Sequence, residues 1–338
     1  MTTRRSLLKH TAAIAAAGLF PMPAIVRAQA LEQINVLTPF AFGASFIEMM
    51  NAVSGGHFAK QGLEVKLEAG RGGAQTLQQL VSDQTRFIRI SSIEQIGAVE
   101  KSGEDLVCFS NLYQASTFHL VSLKSKPIKS AEELRGKTVG LVSVGGSTEI
   151  FLNLMLHKVG VPPAEVKREV TGDTPGALGI LQQGRVDCFI CSINVVAALR
   201  HMDAPVEIWS TDRYAPMPSQ GYVAKRSVME KNADQFVRIS KALTASVNEI
   251  ITQPTEMIYQ RAAKDFQIPR MDKMDELVAI TKATVDDLWL SQGKENLMRN
   301  VPALWASGVE TLRDSKLTTA TDPTKFYTNT YIDQALKG

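Results

Sequence analysis

The sequence predicts an α/β protein made of two successive strand–helix units, each a mainly parallel sheet covered by helices. Three observations carry this. Apolar strands and amphipathic helices alternate between residues 33 and 109. The alternation restarts near Ser130 and runs to Trp209. From Asn232 onward the pattern is almost entirely helical. A strand that returns through a helix pairs in parallel with the next strand, so the alternation implies parallel sheets with covered faces.

In the first unit, Ile34-Asn35-Val36-Leu37 is an apolar strand ending at Pro39. Residues 45–60 have helical spacing, with Phe46, Met49, Met50 and Val53 on one face and Gly62 as the stop. Residues 63–67 alternate apolar and charged and form a second strand. Gly70-Arg71-Gly72-Gly73 is a tight loop before a helix carrying Leu77, Leu80 and Val81. Residues 87–90 form a third strand, 92–100 a helix and 106–109 a fourth strand. In the second unit, Ser130 to Leu134 has the capping-box pattern of a short helix. A strand follows over 137–142, and Gly145-Gly146-Ser147-Thr148 opens a helix to about Val159. Strands are expected at 166–170 and 186–191, with a helix at 175–183 between them, and residues 206–209 close the unit. Residues 220–224 form a strand that returns to the first sheet.

The first thirty residues stand apart. Arg4-Arg5 precedes Leu7-Leu8 and Lys9, residues 11–26 carry no charge, and Ala28-Gln29-Ala30 is a small-x-small cleavage site. This is the pattern of an export signal of the twin-arginine type, with Leu31 as the mature N-terminus and the periplasm as destination. A membrane anchor fits less well, because a bilayer core needs about 20 strongly apolar residues and Pro21 and Pro23 interrupt this run. The leader holds Arg4, Arg5, Lys9 and Arg27 and no acid, so its removal leaves 33 basic against 34 acidic residues, a net charge of −1. That balance gives no basic footprint for nucleic acid, and no later segment is apolar enough to insert in a membrane. Of the three cysteines, Cys188 and Cys191 form a C-x-x-C on an apolar strand, where residues three apart face opposite ways. A disulfide is awkward there, and both thiols are expected to be structural.

Enzyme constellations are missing. The five histidines are scattered singly, and there is neither a metal-type Cys/His spacing nor a nucleophile elbow. Gly140 to Ser147 approaches a phosphate-binding loop, but Gly146 stands where that loop needs its lysine. No catalytic residue, metal or cofactor is expected. What remains is a set of strand-to-helix turns rich in Gly, Ser and Thr, at 40–45, 70–73, 91–92 and 144–148. Ligands of open α/β sheets bind beyond the carboxyl ends of the strands, where helix N-termini offer free N–H groups to anions. Ordinary turns and N-caps share this composition, so the weight rests on several such turns together. Phe40, Phe42 and Tyr113 could stack on a planar ligand, or pack in the core. Arg71 and Arg89 could pair with an anion, or lie solvated at the surface.

Three phrases carry a family resemblance: Gly55-Gly56-His57-Phe58-Ala59-Lys60-Gln61-Gly62-Leu63-Glu64-Val65, Ser130 to Gly140 with Gly146-Ser147 after it, and Gly184-Arg185-Val186-Asp187. With them the chain resembles the periplasmic binding proteins of the thiamine-precursor, sulfonate and nitrate type. The resemblance implies the type II periplasmic-binding fold, two Rossmann-like lobes joined by a two-crossover hinge. Lobe I would be residues 31–116 and 221–338, and lobe II residues 117–220. It implies a monomer that captures a small polar or anionic molecule between the lobes and hands it to the membrane permease of an ABC importer. Carried over by motif, the ligand-binding positions are Phe40, Phe42, Gly73, Ser91, Ser92, Ser147, Thr148, Ser192 and Asn194. The chain departs from the family at Arg86-Phe87-Ile88-Arg89 and at Ser192-Ile193-Asn194, which leaves sulfonate, nitrate, carboxylate and pyrimidine all open. Two other functions share the fold. One is a pyrimidine synthase of thiamine biosynthesis, which relies on a cysteine cluster near the return to lobe I. Met217 to Tyr222 has no cysteine. The other is a sensory receptor for a membrane kinase.

Overall fold

Ten strands among the described residues, 31–337, gather into two five-stranded sheets that repeat one plan. In this computed structural model, β1 (Glu32–Thr38), β2 (Leu63–Ala69), β3 (Phe87–Ser91), β4 (Leu106–Asn111) and β10 (Gln220–Lys225) form the first sheet, in the order β2-β1-β3-β10-β4. The second holds β5 (Phe118–Leu123), β6 (Thr138–Leu141), β7 (Lys167–Val170), β8 (Cys188–Ser192) and β9 (Val206–Ser210), in the order β7-β6-β8-β5-β9. β1 pairs in parallel with β2 and β3, and β6 with β7 and β8. Each sheet carries one reversed strand in the fourth position. β10 is antiparallel to β3 and β4, and β5 to β8 and β9. The architecture is therefore α/β in two lobes. The sheets are mixed, because a strand entering from the other sheet at its carboxyl edge must run backwards.

The reversed strands fix where the chain crosses. β5 begins with Phe118 opposite Ser192, the last residue of β8, and β10 begins with Gln220 opposite Ser91, the last residue of β3. Both crossovers, 112–117 and 211–219, thus join the two sheets along the carboxyl edges of their parallel strands.

Twelve α-helices cover the sheets: α1 (Ile47–Ser54), α2 (Gly73–Val81), α3 (Ser92–Ser102), α4 (Ser147–Lys158), α5 (Ala177–Gln182) and α6 (Ile193–His201), then α7 (Arg226–Lys231), α8 (Ala233–Thr252), α9 (Thr255–Ala262), α10 (Met274–Thr284), α11 (Pro302–Asp314) and α12 (Thr330–Leu336). Strand alternation divides the core. Phe87 packs in one cluster, and Ile88 and Ile90 in another, on the opposite face of β3. On β8, Phe189 and Cys191 face one cluster while Cys188 and Ile190 face another. The two cysteines are free and buried, as their strand positions require, and burial raises both thiol pKa values.

Several elements differ from expectation. The helix expected over 45–60 stops at Ser54. Gly55 and Gly56 end it, Gly56 with a left-handed φ of 70°, and a short 3-10 turn at Ala59–Gln61 follows. The expected capped helix at 130–134 is one 3-10 turn, Glu132–Leu134, whose N-cap residue Ala131 makes no side-chain cap. β5 and α6 carry no expectation from the sequence, yet β5 is a central strand. The tail does not stay with the first sheet alone, because α10 packs on α6 of the second. Arg200–Asp287 (2.5 Å) and His201–Asp275 (3.3 Å) pair across that contact. No helix among the described residues is long and apolar enough to cross a membrane. The export leader expected over 1–30 lies outside the described residues.

Candidate functional site

The carboxyl edges of the two sheets face each other across a cavity of about 440 Å³. The first sheet contributes Phe40 after β1 and Ser91, Ser92, Ile93 and Glu94 at the start of α3. The second contributes Val142, Ser143, Gly146, Ser147, Thr148 and Phe151 around the start of α4, with Asp173 after β7. The crossovers form the floor, with Thr117, Phe118 and Met217 to Gln220.

At the α3 turn, Ser91 is the N-cap. Its Oγ accepts from the Glu94 N–H (3.3 Å) and donates to Glu94 Oε2 (2.7 Å), a side-chain capping box. Ser92 is buried. Its N–H donates to the Ser219 carbonyl (2.8 Å) and its hydroxyl to the Pro218 carbonyl, which ties the start of α3 to the second crossover. At the α4 turn, Gly145 is left-handed (φ 71°). Gly146 is the N-cap, and a Cβ on it would collide with Ser143 Oγ. Ser147 is the first helical residue and is exposed to the cavity, so it is no cap. Thr148 is 1% exposed, and its Oγ1 accepts from the Val142 N–H (3.2 Å). Glu149 Oε2 accepts from the Gly145 N–H (2.6 Å), and its Oε1 pairs with Arg168 Nε (2.9 Å).

The cavity thus gathers five of the nine positions expected from sequence: Phe40, Ser91, Ser92, Ser147 and Thr148. Phe40 is 59% exposed there. The other four lie elsewhere. Phe42 packs edge-on against Phe266, with centroids 5.0 Å apart. Gly73 starts α2, where a Cβ would press on the Glu94 carboxylate. Ser192 and Asn194 belong to the far side of the sheet, where the two halves touch. Asn194 Nδ2 donates to Ser45 Oγ (3.3 Å), and the Ser192 Oγ is buried without a partner.

Arg89 neither lines the cavity nor lies at the surface. It is fully buried on β3, bonded through Nη1 to Glu48 Oε1 (2.5 Å) and through Nε and Nη2 to Gln220 Oε1 (3.1 and 2.8 Å). Its guanidinium lies 4.4 Å from the centroid of the Phe46 ring and 4.6 Å from that of Tyr113. Tyr113 is therefore core, while Arg71 is exposed outside the cavity. The sequence reading missed Glu94, Asp173, Phe151 and the crossover residues. Glu94 was within reach, since Ser91-Ser92-Ile93-Glu94 is an S-x-x-E capping box.

Beside the first crossover, Asp212 Oδ2 accepts from the Ser116 N–H (2.7 Å) and from Ser210 Oγ (3.0 Å). Burial outweighs these bonds and raises its carboxyl to about 6. Nearby His119 is 5% exposed, and burial lowers it to about 4. Both line a second cavity of about 370 Å³. Among the described residues no group of three or more His, Cys, Asp or Glu is placed to hold a metal ion.

A family model described as NMT1/THI5 like matches residues 44–257, from the approach to α1 to α9. The chain belongs to the NMT1/THI5-like family. Solved structures share its fold at low sequence identity. The periplasmic aliphatic sulphonate-binding protein SsuA of Escherichia coli is 18% identical, with a TM-score of 0.65 over 89% of this chain and 99% of that one. A putative periplasmic sulfonate-binding protein SsuA of Methylobacillus flagellatus KT is 16% identical, with a TM-score of 0.65 over 91% and 95%. The periplasmic nitrate-binding protein NrtA of Synechocystis PCC 6803 is 12% identical, with a TM-score of 0.60 over 91% and 89%. No curated protein sequence matches significantly. In this NMT1/THI5-like chain both crossovers form the floor of the cavity.

Proposed function

We propose that this chain is a solute-binding protein that captures a small polar organic molecule between its two lobes and delivers it to the membrane permease of an ABC importer. The observation that carries the reading is the 440 Å³ cavity at the shared carboxyl edge of both sheets. Ligands of open α/β folds bind at such edges, and a ligand there touches both halves and the chain that joins them. The wall offers hydroxyls, carboxylates and aromatic faces, not the cysteine cluster on which a synthase of this fold relies. Phe40, Ser91, Ser92, Ser147 and Thr148 hold the ligand, together with Glu94 and Asp173. The lobes are residues 31–116 with 221–338 and residues 117–220, hinged near 116–118 and 219–221. The protein acts as a monomer in the periplasm, exported by its twin-arginine leader and cleaved before Leu31.

Only contacts that differ between open and closed states shift that equilibrium. A ligand at 100 times its dissociation constant adds about 2.7 kcal/mol of stability. A thermal-shift screen therefore finds the ligand, and small-angle scattering with and without it tests closure. The expected result is a smaller radius of gyration in the bound state. A ligand that raises the melting temperature but leaves the radius unchanged would refute the hinge.

A further inference from the structure

We infer that the ligand is an organic cation, a protonated amine on an apolar or aromatic body. The inference rests on the solute-binding reading and names the substrate class of that same cavity. Among the described residues, neither lysine, arginine nor histidine lines the cavity, while Glu94 and Asp173 both do, and both are exposed to it.

The helix N-termini around the cavity would ordinarily favour an anion. Here carboxylates of the chain itself already stand at the α3 and α4 turns. At α3, Glu94 closes the capping box with Ser91. At α4, Glu149 Oε2 accepts the Gly145 N–H in the turn that leads into the helix. Asp173, after β7, adds a third carboxylate, whose Oδ1 accepts the Ser192 N–H at the end of β8 (2.9 Å). An incoming anion at these turns would face the carboxylates of Glu94, Glu149 and Asp173. The guanidinium behind α4 is committed as well, since Arg168 forms an ion pair with Glu149 and donates to Asn153 Oδ1 and to the carbonyls of Pro163 and Val166.

The rest of the wall suits a cation with an apolar body. Phe40 is largely exposed in the cavity, and Phe118 and Phe151 stand with ring centroids 5.5 Å apart. Aromatic faces attract ammonium groups and cover the carbon frame that carries them. Ser147 adds a hydroxyl at the mouth of α4. The cavity defines the site, and its charge defines the class.

The test is calorimetry on the purified protein at pH 7 with two panels. The cations are benzylamine, putrescine and choline, and the anions are ethanesulfonate, nitrate and benzoate. The expected result is binding of at least one amine, weakened at least tenfold in both Glu94→Gln and Asp173→Asn. Glutamine also serves a capping box, so the first variant keeps the start of α3 and should melt within a few degrees of wild type. Binding of an anion with no amine bound overturns the inference and leaves the solute-binding reading standing. Amine binding that is equally tight in both variants overturns it too. A folded protein that binds neither panel counts against both readings.

Discussion

Replacing Arg89 by methionine should cost the fold several kcal/mol, and replacing Glu48 at the same time should return much of it. Arg89 and Glu48 are both fully buried. The guanidinium donates to Glu48 and twice to Gln220 Oε1. Glu48 Oε1 also accepts from the Tyr222 hydroxyl (3.1 Å), and Glu48 Oε2 has no partner. Arg89→Met thus leaves a buried carboxylate with only a phenol to serve it. Removing one partner of a buried pair costs about 3–5 kcal/mol. At about 2 °C per kcal/mol for a domain of this size, the melting temperature should fall by roughly 6–10 °C. In Glu48→Met with Arg89→Met no buried charge remains. The residual loss is then the unpaired Tyr222 hydroxyl and Gln220 carbonyl, at about 1–3 kcal/mol each at most. Thermal and urea unfolding of wild type, both single variants and the double variant form a complete cycle. A double variant whose loss equals the sum of the two singles would refute the pairing. So would an Arg89→Met protein that melts within 1–2 °C of wild type. Gln220 lines the cavity, so the same variant should also weaken ligand binding.

Two further outcomes follow from the geometry. His119 resists protonation down to about 4, so its contribution is full above its ordinary value near 6.5 and is lost as pH falls from there to 4, about 3 kcal/mol in all. Asp212 is raised to about 6, so its contribution runs the other way and is lost, at about 3 kcal/mol, as pH rises from 4 to 6. Melting temperatures from pH 4 to 6.5 should therefore climb steeply in Asp212→Asn and fall in His119→Gln; equal slopes would exclude opposing titrations. At α4, Ser147→Ala should weaken ligand binding without moving the melting temperature of the empty protein. Thr148→Ala leaves the Val142 N–H unpaired and should lower it by roughly 2–4 °C, from about 1–2 kcal/mol, and calorimetry of both variants compares the two.

Apolar strands buried on both faces, such as residues 87–90 and 186–191, were legible because burial writes a continuous apolar run. β5 and α6 were not. β8 ends at Ser192 and α6 begins at the very next residue, Ile193, with neither Gly nor Pro to mark the break, and His119 interrupts the apolar run of β5. Arg89 looked like a surface or ligand residue because its partners are remote, Glu48 by 41 positions and Gln220 by 131. Ser91, Ser92, Ser147 and Thr148 line the cavity, since each sits at a strand-to-helix turn at the carboxyl edge. Ser192 sits at the same kind of turn, but its Oγ is buried without a partner and α6 is engaged by α10. Which side of a sheet stays open depends on packing that local patterns do not encode.

That one-sided packing bears on how the site works. On the α6 side the halves are joined by the Asn194–Ser45 bond, by α10 on α6 and by Arg200–Asp287. On the α3 and α4 side the cavity lies between them, beside an apolar cluster that holds Phe151 and Leu154 of α4 together with Met217 and with Ile88 and Ile90 of β3. Between them run two crossovers that are themselves cavity floor. The hinge proposed above puts the bending torsions in these crossovers, near Thr117 and Ser219. Ser92 holds the second crossover through Pro218 and Ser219, and Asp212 holds the first through Ser116. In that proposal a ligand that touches Thr117, Phe118 or Gln220 would act on the bending backbone directly, so binding and closure would need no chain of intermediate residues between them.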